Sequence, residues 1–349
     1  MLERRTARAR IYSTGNSQVD AEIDELIAEY GDVANADLLK QMITTCFRLV
    51  RDEADRGEMK LVNSALKEFA YSFSVFRKWR DHRKVSIFGS ARTEPTDATY
   101  AQTRDFAEAM AKANWMVITG AGPGIMAAGH EGAGAEKSFG ASIRLPLESE
   151  PNIFIQGNTK LINFKYFFTR KVAFIKESDA FALFPGGFGT LDEAFELLTL
   201  MQTGKSDIHP IVLLDQPGGT YWRSWLNFLE EEVLSRGLIS DDDFHLIKHC
   251  SRINEAVEEL TGFYRNYRSQ RWSDGMLILR LSRLPPPPAL AELVKEFADI
   301  IGPRGISPVE ASAKEIADAD ELDCERLALD FNQSRVGCLR QIIDRLNTY

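Results

Sequence analysis

Ala180-Phe181-Ala182-Leu183-Phe184-Pro185-Gly186-Gly187-Phe188-Gly189-Thr190-Leu191-Asp192-Glu193 is the stretch that decides the fold. Its first five residues are a continuous apolar run, short enough for a strand buried on both faces. Pro185-Gly186-Gly187 ends the run, and a helix is expected from near Thr190 to Met201. The same unit recurs on either side. Val85 to Phe88 reads as a strand ending in Gly89-Ser90, and Trp115 to Thr119 as one ending in a glycine loop. Phe139 to Leu145 and Ile211 to Leu214 are further strands. Helical patterns cover Tyr100–Asn114, Phe164–Glu177, Tyr221–Ser235 and Ile253–Tyr267. Apolar strands alternating with amphipathic helices predict an α/β fold, a mostly parallel sheet with helices on both faces. Ligands bind such sheets beyond the carboxyl ends of the strands, where these glycine turns lie.

The flanks read differently. Up to about residue 18 the chain is polar and charged. Asp20 to Arg80 is helical, with Ile23, Leu26, Ile27 and Tyr30 on one face, then Phe47, Val50 and Ala54, then Leu66, Phe69, Phe73 and Phe76. These helices are expected to pack as a cap or an oligomer contact. After the core come a strand (Met276–Leu284), Pro285-Pro286-Pro287-Pro288, a helix (Ala289–Ile301), strands at Ile306–Val309 and Arg326–Phe331, and a helix (Val336–Leu346). That order predicts a small α+β module, ferredoxin-like if a final strand is supplied elsewhere. The proline run reads equally as a rigid linker. The expected division is 1–83 (arm and helical extension), 84–272 (Rossmann-like parallel-sheet domain) and 273–349 (C-terminal α+β module).

The formal net charge is −9, which argues against a protein that holds nucleic acid by neutralising phosphates. Cys46, Cys250, Cys324 and Cys338 are widely spaced and form no metal or disulfide pattern, so thiols in a reducing cytosol are expected. The basic start MLERRTARARIYS has no apolar run behind it, so no signal peptide is expected. No stretch reaches the roughly 18 apolar residues that a membrane span needs. A cytoplasmic protein follows as the expectation, with no metal and no cofactor.

In the deciding stretch, glycines let a ligand approach the backbone, and the start of a helix favours an anion such as phosphate. Thr190 is expected to cap that helix and donate to the phosphate. Asp192 and Glu193, in the first turn, also fit simple charge matching to the helix dipole. From these residues alone, phosphate binding and a tight turn stand even. The loop Gly120-Ala121-Gly122-Pro123-Gly124-Ile125-Met126 invites a dinucleotide reading, but G-x-G-x-x-G would need glycine at Ile125, and no acidic residue follows at the right distance. Gly204-Lys205-Ser206 lacks the earlier glycine of a P-loop, since Thr199 stands there. Arg170-Lys171 puts two cations in an apolar helix. Spacing alone favours a surface pair over a ligand contact, although arginine suits bidentate phosphate recognition.

Taken together, these segments resemble the LONELY GUY family of cytokinin riboside 5'-monophosphate phosphoribohydrolases, once mislabelled lysine decarboxylases. The hallmark PGGxGTxxE is matched by Pro185 to Glu193, the upstream Arg-Lys pair by Arg170-Lys171, and the end of the first strand by Gly89-Ser90. The family's second loop is usually GGGxxGxM; here Gly120 to Met126 carries alanine among its glycines. The resemblance spans about Lys84 to Tyr267 and looks like a longer bacterial type.

It implies a Rossmann-like homodimer or higher oligomer, with sites close to the subunit interface. It implies that Gly186, Gly187, Gly189 and Thr190 hold the 5'-phosphate of a nucleoside monophosphate. Arg170 and Glu193 would be the catalytic pair with Lys171 nearby, and Gly89, Ser90, Gly122, Gly124 and Met126 would line the pocket. The implied reaction is hydrolysis of the N-glycosidic bond to free base and ribose 5-phosphate. A non-catalytic nucleotide carrier or sensor is the alternative. Lys171 as a Schiff-base lysine for pyridoxal phosphate is a weaker one, and NAD dependence is disfavoured by the failed fingerprint.

Overall fold

Runs such as Ile211-Val212-Leu213-Leu214 have no polar face to offer water, so they need cover on both sides. The computed structural model describes residues 12–145, 150–333 and 335–349. Among them, seven parallel strands form one sheet in the order β4-β3-β2-β1-β5-β6-β7. They are β1 (Lys84–Phe88), β2 (Met116–Thr119), β3 (Ser138–Ile143), β4 (Leu161–Phe164), β5 (Ala180–Leu183), β6 (Ile211–Leu214) and β7 (Ile247–Cys250). Strands β1 to β4 build outward in one direction. The chain then returns, and β5 pairs with the other edge of β1, Val85 opposite Ala180 and Phe88 opposite Leu183. Strand order therefore reverses between β1 and β5, which is where such a sheet opens a crevice.

Alternation along the strands assigns the two faces. Val85, Ile87 and Ala182 pack with Phe106, Ile125 and Leu260. These belong to α4 (Ala98–Lys112), α5 (Ile125–Ala133) and α9 (Ile253–Gly262). Phe88, Phe181 and Leu183 pack with Phe174, Ala194 and Leu197, from α6 (Phe167–Glu177) and α7 (Phe188–Gln202). The expected α/β, Rossmann-like sheet with helices on both faces is the fold observed.

The chain divides into two compact units between Glu68 and Phe69. The first contains α1 (Ser17–Tyr30), α2 (Ala36–Arg51) and the start of α3 (Arg56–Arg77). Asn16 caps α1 by accepting from the Gln18 and Val19 amides. Its expected apolar face is only partly covered: Ile23 is buried, whereas Leu26 and Tyr30 are exposed, as are Phe47, Val50 and Leu66. The end of α3 belongs to the second unit, where Phe76 stacks on Phe139 at 4.6 Å between centroids. The boundary expected at residue 83 therefore falls inside that unit.

The tail forms a four-stranded antiparallel sheet in the order β10-β11-β9-β8. Its strands are β8 (Tyr267–Ser273), β9 (Met276–Leu281), β10 (Ile301–Pro308) and β11 (Glu325–Phe331). The strand missing from the ferredoxin-like pattern is β8, supplied from the front. Its sequence Tyr267-Arg268-Ser269-Gln270-Arg271-Trp272-Ser273 has no apolar alternation, so period alone hides it. The helix expected to reach Tyr267 ends at Gly262, and a boundary at 272 cuts β8. Pro287 and Pro288 open α10 (Pro287–Glu296) rather than forming a linker; Ile301, expected to end that helix, begins β10. After α11 (Ala313–Asp318), α12 (Val336–Leu346) places Leu339, Ile342 and Leu346 in one core with Leu279, Leu327 and Phe263. That shared core explains why the tail belongs to the second compact unit. No helix among the described residues is long and apolar enough to cross a membrane.

Candidate active site

Three strand ends meet at the crevice, and backbone hydrogen bonds tie their loops together. The Ser90 amide donates to the Pro185 carbonyl at 3.1 Å, and the Ile125 amide to the Ser90 carbonyl at 3.0 Å. The loops after β1, β2 and β5 are thus one assembly. Gly124 has φ +64°, and a Cβ there would overlap the Ser90 carbonyl oxygen and the Ala91 backbone. A Cβ at Gly89 would stand 2.6 Å from Ile125, and one at Gly186 would overlap Thr190. These glycines are needed for packing. Gly187 and Gly189 differ, since space is open where a Cβ would go. Gly124→Ala should therefore destabilise the protein by about 3 kcal/mol in urea unfolding. Gly187→Ala should change stability by under about 1 kcal/mol but weaken binding of a phosphate ligand.

Helix α7 starts at Phe188, two residues before the expected start. Gly187 is the N-cap, and its carbonyl accepts from the Thr190 and Leu191 amides at 3.1 and 3.2 Å. Thr190 is therefore not the cap: it sits inside the first turn, 5% exposed. The first helical amides, on Phe188 and Gly189, have no intrahelical acceptor at this position in a helix. No described atom lies within 4 Å of where a Cβ on Gly187 or Gly189 would stand, so a ligand has room beside this turn.

Glu193, one turn on, is 4% exposed. Burial pushes its carboxyl up to about 7, with the Lys171 and Arg170 charges pulling the other way. Arg170 and Lys171 come from α6. A Cβ on Gly120 would lie 3.7 Å from Arg170 Nη1 and 2.7 Å from Met126 Sδ, so Arg170 and Met126 both line the second loop. The Arg170 guanidinium also lies 5.1 Å from the Phe167 ring centre. Lys171 points elsewhere: its ammonium is 2.8 Å from Asp192 Oδ2 and paired with Glu196. Burial works against that charge, and the hydrogen bonds it donates to Asp192 and Glu196 more than restore it. An ammonium so held is a poor amine nucleophile, which weakens the Schiff-base reading. Lys171 thus braces α6 against α7.

Two supports were not foreseen. Ala121 adopts φ +64°, a left-handed conformation that alanine rarely takes. The Asn152 side-chain amide holds it, donating to the Ala121 and Gly122 carbonyls at 3.0 and 2.9 Å. His130, fully buried, donates from Nε2 to the Phe139 carbonyl at 3.0 Å and faces the Asn152 amide with Nδ1 at 3.1 Å. Burial lowers its pKa and keeps the ring neutral. A separate apolar hollow of about 170 Å³ lies behind α7, lined by Phe195, Leu198, Leu229, Val233 and Phe244. It offers no cation among the described residues. No cluster of three or more His, Cys, Asp or Glu among the described residues could hold a metal ion.

Residues 121–260 match the family model described as "Possible lysine decarboxylase". Over 94 residues the chain is 38% identical to a cytokinin riboside 5'-monophosphate phosphoribohydrolase of Arabidopsis thaliana, covering 27% of this chain and 42% of that one. Over 110 residues it is 34% identical to the corresponding enzyme of Oryza sativa, covering 31% and 43%. The chain thus spans less than half the length of these curated relatives. A solved structure of the molybdenum cofactor carrier protein from Chlamydomonas reinhardtii aligns with a TM-score of 0.36 at 20% identity, over 52% of this chain and 96% of that one. The matched segment contains Arg170-Lys171 and the whole Pro185–Glu193 turn. That segment is similar to the family described as "Possible lysine decarboxylase" and to the cytokinin riboside 5'-monophosphate phosphoribohydrolases.

Proposed function

We propose that this protein hydrolyses the N-glycosidic bond of a nucleoside 5'-monophosphate, giving free base and ribose 5-phosphate. The observation that carries the reading is the buried Glu193 one turn inside a helix whose glycine start is open, with Arg170 brought against the neighbouring loop. The phosphate sits on the amides at Gly187, Phe188 and Gly189 and the first turn of α7. That anchor places the ribose over Glu193, and binding energy from the unreactive phosphate positions the reacting carbon.

Breaking the C1'–N bond leaves its electron pair on the base and positive charge on the sugar. Ionised Glu193 stabilises that charge and orients the water that adds to C1'; the base leaves after taking up a proton. Arg170 supports the phosphate or the departing base. The relatives' substrate, a cytokinin riboside 5'-monophosphate, and AMP are the first candidates. Phe167, Phe168, Val172 and Phe188, on the two helices that carry Arg170 and Glu193, are exposed apolar side chains. We assign them to contact with a second copy of the chain.

The test is base release from AMP, an N6-modified AMP and a panel of other monophosphates, followed by chromatography. Release from at least one supports the reading, and no release from any would sink it. In the free enzyme, kcat/KM should rise with pH through about 7 as Glu193 loses its proton. A profile flat from pH 5.5 to 8.5 would remove Glu193 from its role.

A further inference from the structure

Beyond β6 a fourth turn, Asp215 to Thr220, lies at the carboxyl edge of the sheet and leads into α8 (Tyr221–Phe228). The Tyr221 hydroxyl donates to the Gly186 carbonyl at 2.6 Å. The start of α8 is fixed in turn by Asp215, 2% exposed, whose Oδ2 accepts from the Trp222 amide at 3.0 Å. His249 Nε2 lies 3.4 Å from the same oxygen. Asp215 is itself held in line with the sheet, its amide donating to the Cys250 carbonyl at 3.1 Å. Trp222 is fully buried and sets its ring edge-on to Tyr221, 4.8 Å between centroids. Tyr221 is therefore a fixed post, and the glycine turn hangs on it.

We propose that Tyr221 is a positioning residue that fixes the direction of the Gly186–Gly187 peptide. In a trans peptide the carbonyl and the following N–H point in opposite directions. Holding the Gly186 carbonyl toward α8 therefore turns the Gly187 N–H the other way, to the side on which this proposal seats the phosphate. Two successive glycines make this the peptide of the turn with the least steric resistance to flipping. A flipped peptide would present a carbonyl oxygen to the phosphate where a donor is needed. The role rests on the phosphate-binding reading above. It adds a residue outside the PGGxGTxxE stretch, brought in by the fold.

The test uses the full chain and Tyr221→Phe, with Tyr264→Phe as the matched control. Tyr264 also donates to a backbone carbonyl, that of Asp179, at 2.7 Å, but at the opposite end of the sheet. Ribose 5-phosphate binding is measured by calorimetry, and turnover on the best monophosphate of the panel. For Tyr221→Phe we expect about tenfold weaker ribose 5-phosphate binding and a KM raised by about the same factor, with kcat within about twofold. Tyr264→Phe should leave both constants unchanged. Wild-type affinity in Tyr221→Phe, or a loss confined to kcat, overturns the positioning role while leaving the hydrolase reading intact. Equal weakening by both variants also overturns it, because the effect would then be one of general stability. A wild-type protein that neither binds ribose 5-phosphate nor releases base overturns the reading itself and the positioning role with it.

Discussion

Glu193→Gln will lower turnover of a nucleoside 5'-monophosphate by about a thousandfold while making the folded protein more stable above neutral pH. The two effects have one origin. The carboxylate is buried, and its folded-state pKa is raised from the ordinary 4.5 to about 7. A raised pKa means the folded state holds the proton more tightly than the unfolded chain. Stability from this group is fully present below about pH 4.5 and is lost as pH climbs through about 7. Glutamine cannot ionise, so it avoids that loss, which is on the order of 2 to 3 kcal/mol at pH 8. Arg170 and Lys171 lose a counter-charge in the variant, which trims the gain. At pH 4 the two proteins should unfold alike. Urea melts at pH 4 and pH 8, beside a single-turnover assay, check both halves. Lower stability at pH 8 would show that the buried charge is not held at a cost, and unchanged turnover would show that it is not used.

Glu315→Ala will destabilise the second compact unit by about 3 to 5 kcal/mol, the usual result of leaving a buried charge without its partner. The Arg280 and Arg326 side chains are 6% and 3% exposed, and both reach Glu315 Oε1, at 2.6 and 3.2 Å. Burial alone would raise the Glu315 carboxyl, but hydrogen bonds from Arg280, Ser312 and Arg326 hold it well below the usual carboxylate range. Removing it leaves two arginines in the interior. Asp320 still meets Arg280 at 2.6 Å, whereas Arg326 retains backbone acceptors at Cys324 and Glu321 but no full counter-charge. Because α12 packs into the same core as the tail sheet, the loss should appear in one transition. A separate early transition of the tail, with the remainder melting as before, would contradict that shared core.

The parts of this molecule that were legible in the sequence are those specified locally. Ala180 to Glu193 carries its strand, turn and helix within one stretch, and so do β1 and β2 with their glycine ends. Edge strands were harder to read. Ile247-Lys248-His249-Cys250 is half polar because β7 pairs on one side only, and of Leu161 to Phe164 only Phe164 was read, as the start of the helix that follows. β8 has the composition of a loop and is a strand because β9 pairs with it. In the site, Glu193 and Arg170 were legible through the motif, but spacing alone left Arg170 on the surface. Its place against Gly120 depends on how α6 crosses the sheet. The Thr190 cap was misplaced because Gly187 already ends the turn, so the helix starts earlier. Asn152, His130 and Tyr221 act across 31, 9 and 35 positions of sequence respectively, and no periodicity reports such contacts. For Tyr221 one signal was available: Gly218-Gly219-Thr220 is a fourth glycine turn after an apolar strand.

The central claim is that a nucleoside monophosphate lies with its phosphate on the start of α7 and its C1' facing Glu193. A crystal structure of the Glu193→Gln variant with AMP tests it most directly. The account predicts phosphate oxygens within hydrogen-bonding distance of the Gly187 and Gly189 amides and a ribose between residue 193 and Arg170. AMP bound elsewhere, or bound there with its base toward α7 and its phosphate in solvent, would contradict it.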